Sequence, residues 1–322
     1  MSRSPNVTRR SVLATGAAAP LALTASAPAR ANSAPKPAPT PGYLRKIGVA
    51  EVTTILDGWF PLELPVFNNI DEATLGTSLE AAYLDLDAPI PTGIAAYLVQ
   101  VADRTVLIDA GAADAFGPTA GRLGSALTAA GIDGGDVDDV ILTHMHPDHV
   151  AGLLGEDGAV FGNAALHVAE ADLAFWTSDE NRAAAPDDFK VFFDLARSVR
   201  DAYQARLTPF AGESDLGDGL SVSPMPGHTP GHSGVRIASG EDQLLIWGDM
   251  TAVAAVQFAH PDAGLAFDVD SGQAAETRRR VLDMAAADRL LVAGTHLPFP
   301  GFGHVETRDD AYAWVPEGWQ YS

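Results

Sequence analysis

The run Val140-Ile141-Leu142-Thr143-His144-Met145-His146-Pro147-Asp148-His149 constrains this chain more than any other. An apolar, β-prone stretch opens directly onto four side chains able to ligate a metal. Side chains alternate along a strand, so imidazoles two positions apart at its end point the same way and can reach one ion. Asp148 and His149 sit where the chain turns, within reach of a second ion. Two histidines alone are most often an exposed polar pair. With Asp-His added after a strand, they form a metal-site pattern.

Three further candidates close apolar runs: His228 in Gly227-His228-Thr229-Pro230-Gly231-His232, Asp249 after Leu244-Leu245-Ile246-Trp247-Gly248, and His296 after Leu290-Leu291-Val292-Ala293-Gly294-Thr295. A rigid scaffold presents a preorganised site in this way, with one ligand at each strand end along an edge. Buried and unpaired, the same groups would be costly. The chain contains no cysteine, so any metal is held by His, Asp or Glu, and disulfides and thiol nucleophiles are excluded.

Strands and helices alternate around these motifs. Val99–Val101 and Val106–Ile108 suggest two strands about a turn at Asp103-Arg104, residues 121–131 a helix, and 137–143 a strand. Residues 187–206 form the clearest amphipathic helix, with Phe189, Phe192, Phe193, Ala196, Val199 and Tyr203 on one stripe. Strands follow near 220–224, 233–238 and 243–247, then a helix near 272–287 and a strand at 289–294. Strands in both halves with helices between them suggest two packed sheets with helices outside. One catalytic domain over 45–322 is the simplest organisation for 322 residues, 47% of them hydrophobic.

Residues 1–31 read as an export signal. Thr8-Arg9-Arg10-Ser11-Val12-Leu13 is a twin-arginine pattern, an Ala-rich stretch follows, and Ala29-Arg30-Ala31 offers a cleavage site. Pro20 and the many Ala, Ser and Thr residues make the stretch too weakly apolar to span a bilayer well, so no stable membrane insertion is expected once the signal is removed. The expected location is periplasmic or secreted. Residues 32–44, rich in Pro, Ala and Ser, read as a flexible linker. The formal net charge of -22 repels nucleic acid and anionic lipid surfaces.

The series His-x-His-x-Asp-His, Gly-His-Thr-Pro-Gly-His, Gly-Asp and Thr-His resembles the metallo-β-lactamase superfamily. That resemblance implies an α/β fold, the αββα sandwich. It also implies that His144, His146 and His228 hold one metal, that Asp148, His149 and His296 hold a second, and that Asp249 bridges them. Asp148 and Asp249 are then the catalytic carboxylates. Asp109, in Leu107-Ile108-Asp109-Ala110-Gly111, matches a superfamily aspartate that braces the histidine loop, although a turn residue is nearly as good a reading. His232 is expected to support the loop around His228, and His167, His260 and His304 to be structural or exposed. A finer similarity, to methyl parathion hydrolases, is carried by residues 143–153, 185–193, 248–258 and 296–304. It implies an apolar aromatic pocket for which Phe116, Trp176 and Phe193 are the candidates, and commonly a homodimer. Phe193 lies equally on the buried helix stripe, and aromatics are more often core than pocket.

Two divalent ions are expected, with zinc favoured by a ligand set of nitrogen and oxygen and with manganese, cobalt or iron as alternatives. Cations sharing a water lower its pKa from about 16 to about 7, which supplies hydroxide for attack on carbon or phosphorus. The expected substrate is a small neutral ester: an aryl ester, a lactone or an organophosphotriester. Glyoxalase II shares the ligands but needs basic residues near the C-terminus, where residues 290–322 contain only Arg308. A homoserine-lactone lactonase is the alternative; those enzymes carry a tyrosine three residues after the bridging aspartate, where this chain has Ala252. Two other classes remain: a mononuclear iron persulfide dioxygenase and a non-catalytic binding module.

Overall fold

A computed structural model describes residues 42–320. Two seven-stranded sheets make up its centre. The first comprises β1 (Gly42–Ile47), β2 (Ala50–Leu62), β3 (Ile90–Val101), β4 (Arg104–Ile108), β5 (Asp139–Ile141), β6 (Ala165–Ala169) and β7 (Leu207–Phe210). The second comprises β8 (Ser214–Gly217), β9 (Leu220–Pro224), β10 (Ser233–Ser239), β11 (Asp242–Ile246), β12 (Leu291–Ala293), β13 (Phe302–Arg308) and β14 (Ala311–Pro316). Within each sheet these strands neighbour one another in chain order. Strands joined by tight turns pair antiparallel, as β3 does with β4. Four pairs joined through helices run parallel, β4 to β5, β5 to β6, β6 to β7, and β11 to β12, whereas β2 and β3, with the helix Glu72–Ala81 between them, pair antiparallel. A parallel neighbour requires a crossover of a dozen or more residues.

The helices are α1 (Glu72–Ala81), α2 (Leu123–Ala129), α3 (Pro147–Val150), α4 (Glu170–Thr177), α5 (Asp179–Ala184), α6 (Lys190–Tyr203), α7 (Ala254–Gln257) and α8 (Ser271–Ala287). Period-2 patterning decides which face of each sheet meets which layer. Tyr97, Val99, Val106 and Ile108 of the first sheet meet Leu220, Val222, Val235, Ile237, Leu244 and Ile246 of the second. The alternate residues Ala96, Leu98, Leu107 and Val140 face outward onto Trp176 of α4 and Phe193, Ala196, Val199 and Tyr203 of α6. Leu245 and Val292 face Val281, Leu282 and Ala285 of α8. The layers run helix, sheet, sheet, helix, as expected from the motifs.

Several boundaries shift. The twin-arginine segment and most of the expected linker lie outside the described residues. The linker does not extend to residue 44, because Gly42, Tyr43 and Leu44 already pair with Ile55, Thr54 and Thr53. The strand expected over 137–143 is ladder-paired only at 139–141, since the chain leaves the sheet to form the histidine loop. The long strand β2 and the C-terminal hairpin β13–β14 carry no sharp periodicity and were not foreseen. No helix among the described residues is long and apolar enough to cross a membrane.

Candidate metal centre

The crossovers bring the candidate ligands together. His144 and His146 follow β5, and α3 carries Asp148 and His149. His228 lies between β9 and β10, Asp249 follows β11, and His296 follows β12. Two buried clusters result: His144, His146 and His228 in one, and Asp148, His149, Asp249 and His296 in the other. In the first, His146 Nδ1 stands 3.1 Å from His144 Nε2 and 2.9 Å from His228 Nε2. In the second, Asp249 Oδ1 is 3.1 Å from His149 Nε2, and Asp148 Oδ2 is 3.4 Å from His296 Nε2. Asp249 Oδ2 reaches both sides, at 3.4 Å from His228 Nε2 and 3.0 Å from His296 Nε2. All seven side chains expected as ligands therefore converge.

The donor atoms fit divalent ions. His149 Nε2 and Asp249 Oδ1 are buried and, although 3.1 Å apart, are not aligned to hydrogen-bond each other or any other group, a state that is expensive unless a cation completes it. Electrostatics point the same way. Burial by itself would lower the pKa of His149, but Asp249, Asp109 and Asp148 outweigh it and push that imidazole well above its usual value. Burial acts likewise on His228, and Asp249 and Asp268 overcome it to raise the pKa to about 9. His144 and His146, buried among other imidazoles, are pushed well below the ordinary range. The carboxylates thus gather positive charge, and metal ions would take the place of those protons.

A ring of supports fixes the ligands. Asp109 directly follows β4, at a φ of 58°. Its Oδ1 accepts from the Thr143 amide at 2.8 Å, and its Oδ2 lies 2.8 Å from both Thr143 Oγ1 and His149 Nδ1. It braces the histidine loop from inside. His232 sits 2.9 Å from the Met225 carbonyl through Nδ1 and accepts from the Asp249 amide at Nε2, 3.0 Å away. Burial depresses its pKa to about 3, which keeps it neutral and gives it one donor and one acceptor. Its reach to Asp249 goes beyond the support of the His228 loop expected of it. Gly248 makes that contact possible, because a Cβ there would stand 2.8 Å from His232 Nε2 and 2.9 Å from Thr143 Oγ1.

Two supports were not foreseen. Asp268 Oδ1 meets His228 Nδ1 at 2.7 Å. Asp172, fully buried, accepts from the Met145 amide at 2.9 Å and the Gly231 amide at 2.6 Å, tying the two histidine loops together. No motif marks either residue; the run from Ala165 to Trp176 holds two acids, Glu170 and Asp172, and nothing in the sequence separates the buried one from the exposed one. His167 pairs with Asp139 at 2.7 Å away from the clusters, and His304 Nδ1 lies 3.1 Å from the Leu290 carbonyl; both are structural.

A cleft opens over the clusters, walled by Phe60, Leu62, Phe116, Phe192, Leu265 and Phe267, with Ala252 also in its lining. Of the expected pocket residues only Phe116 belongs to this wall. Trp176 and Phe193 are each 2% exposed and pack in the core beneath α6. Successive residues of a helix point about 100° apart, so Phe193 faces the sheet while Phe192 faces the cleft. Trp176 meets the site from behind, its ring 5.2 Å from that of His146 and 6.3 Å from that of Phe192 between centroids, and together with Phe193 it lines a neighbouring groove.

The sequence profile of the metallo-beta-lactamase superfamily matches residues 89–307, which include every ligand candidate. The chain belongs to the metallo-beta-lactamase superfamily. Among superfamily members of known structure, the hydrolase AbOPH is 31% identical, over 89% of this chain and 100% of its own, with a TM-score of 0.82. AidC, described as a dizinc quorum-quenching lactonase and seen with a homoserine product, is 26% identical over 88% of this chain and 99% of its own, also with a TM-score of 0.82. A probable metal-dependent hydrolase from Staphylococcus aureus, 21% identical over 84% of this chain and 99% of its own, shares the fold with a TM-score of 0.67. A comparison with curated proteins found no match.

Proposed function

We propose that this superfamily member is a binuclear metal-dependent hydrolase of small neutral esters: aryl esters, lactones or phosphotriesters. The observation that carries the reading is Asp249 Oδ2, which reaches donor atoms of both clusters at the floor of an apolar cleft. His144, His146 and His228 would hold one ion, Asp148, His149 and His296 the other, and Asp249 both. When bound, such a pair supplies an acidified water and polarises a C=O or P=O oxygen. The protein's own part is to fix the ligands through Asp109, His232, Asp172 and Asp268, and to seat the ester. Phe60, beside His296 with centroids 5.6 Å apart, and Phe192, beside His146 at 5.9 Å, offer apolar surface on either side of the clusters. Asp148 borders the cleft and is placed to take up a proton from an attacking water. Among the described residues lining the cleft there is no lysine or arginine, so a carboxylate or a glutathione thioester would find no counter-charge.

The similarity to AbOPH and to a lactonase supports an ester-type substrate, and the sequence similarity to methyl parathion hydrolases supports including phosphotriesters. Ala252, in the cleft wall where homoserine-lactone lactonases carry tyrosine, favours a mechanism without that residue. The test is metal analysis together with a panel of lactones, aryl esters and phosphotriesters on the zinc-, manganese- and cobalt-loaded enzyme. One iron per chain, or S-lactoylglutathione cleaved faster than every neutral ester, would overturn the proposal. Export by the twin-arginine route is part of the same proposal, because that route carries proteins already folded around their metal.

A further inference from the structure

We infer that Asp57 is a positioning residue for substrate selection: it sets where Phe116 stands in the cleft wall. The inference rests on the reading of that cleft as an ester-binding pocket. Asp57 lies in β2 where the pairing with β3 slips between Leu56 and Gly58, and it is 0% exposed. Its hydrogen bonds all run to backbone N–H groups of one segment. Oδ2 accepts from Ala112 at 3.0 Å and Gly121 at 3.1 Å, Oδ1 accepts from Leu123 at 2.8 Å, and the Asp57 carbonyl accepts from Arg122 at 3.0 Å.

The segment needs such an anchor. Asp109, Gly111, Ala113, Gly117 and Gly121 all take positive φ, a conformation that non-glycine residues such as Ala113 adopt only under strain and that persists where surroundings enforce it. Phe116 stands in the middle of this loop, 5.1 Å from the ring of Phe60. At the near end, Asp109 is held by Thr143 and His149, and the Ala110 amide donates to the His149 carbonyl at 2.8 Å. The metal side of the loop therefore has its own attachments, and Asp57 governs the part that carries Phe116. The fit is close: a Cβ on Gly111 would stand 2.7 Å from the Asp57 carboxyl carbon.

Asp57→Asn keeps the shape but turns an amide N–H₂ toward backbone donors, releasing one side of the loop. The experiment measures KM and kcat for an aryl ester and a small aliphatic ester, with metal content, in Asp57→Asn, Phe116→Ala and the double variant. The expected result is an aryl-ester KM raised about two- to tenfold in either single variant, the scale of a lost aromatic contact, with the metal content of the wild type. The aryl-to-aliphatic KM ratio rises, and the double variant is no worse than Phe116→Ala, because both act through one ring. Additive KM effects, or metal loss in Asp57→Asn, would overturn the inference while leaving the pocket intact. A Phe116→Ala variant with unchanged KM would instead take down the pocket reading and this inference with it. Should Asp57→Asn not fold, Gly121→Ala displaces the same loop, since its Cβ would stand 2.3 Å from the Ala113 carbonyl oxygen. The same KM shift is expected there, and an unchanged KM overturns the inference.

Discussion

Asp109 Oδ2 and His149 Nδ1 lie 2.8 Å apart in the interior, on residues 40 positions apart in the chain. That contact fixes the imidazole so that Nε2, its other nitrogen, faces Asp249. Partners of this kind typically change metal affinity by about 10–100-fold. Asp109→Ala should therefore weaken one of two metal-binding steps by about that factor. Asp249→Ala should abolish both the stoichiometry of two and the activity, because Asp249 touches both clusters. Metal titration followed by elemental analysis separates the two outcomes; equal losses in the two variants would contradict the bridging role.

Phe192 and Trp176 should respond in opposite ways to truncation. Phe192→Ala removes cleft wall, so KM for an aryl ester should rise several-fold while the unfolding midpoint stays near that of the wild type. Trp176→Ala empties a core position and should cost about 3–5 kcal/mol of stability. Urea titration beside steady-state kinetics reads both. A stable Trp176→Ala variant with a raised KM would restore Trp176 to the pocket.

The contrast marks what the sequence could show. Ligands were legible because metal chemistry restricts residue type and strand ends restrict spacing. Layer order was legible because periods of 2 and 3.6 dominate β3, β4, β9 to β11 and α6. Which of two adjacent phenylalanines faces the cleft depends on helix phase to within one residue, and the amphipathic stripe of α6 is wide enough to include both. Asp57, Asp172 and Asp268 escaped because their partners include backbone amides, which leave no trace in side-chain identity, and because those of Asp57 and Asp172 lie 27 to 66 positions away. Asp109 was visible only through the resemblance of Leu107-Ile108-Asp109-Ala110-Gly111 to a superfamily pattern.

Acid should destabilise the protein partly through His232. Its pKa is about 3 in the fold and about 6.5 in an unfolded chain. Above pH 6.5 both states are neutral and its contacts to Met225 and Asp249 contribute fully. Below that the unfolded state binds the proton first, and stability falls toward pH 3 by up to about 1.4 kcal/mol per pH unit. Between pH 7 and pH 5 the loss is about 2 kcal/mol. His232→Gln should show a smaller drop over that interval in urea titrations at saturating metal. An identical drop in wild type and variant would mean that other groups set the acid response.

Replacing Arg9 and Arg10 by lysine should leave the protein inside the cell, folded and metal-loaded. Fractionation followed by metal analysis of the retained protein is the measurement. Unchanged export of that variant would count against the twin-arginine reading.

Four of the seven candidate ligands come from the loop and helix after β5, in the first sheet, while His228, Asp249 and His296 come from the second. Neither half of the molecule owns a complete set. In a chain without cysteine, the ions would cross-link the two sheets along one rim, the part that disulfides play in other proteins. The apolar core already holds the two sheets together; the ions would add a second tie at the rim, so a chelator would loosen that edge as well as stop the chemistry.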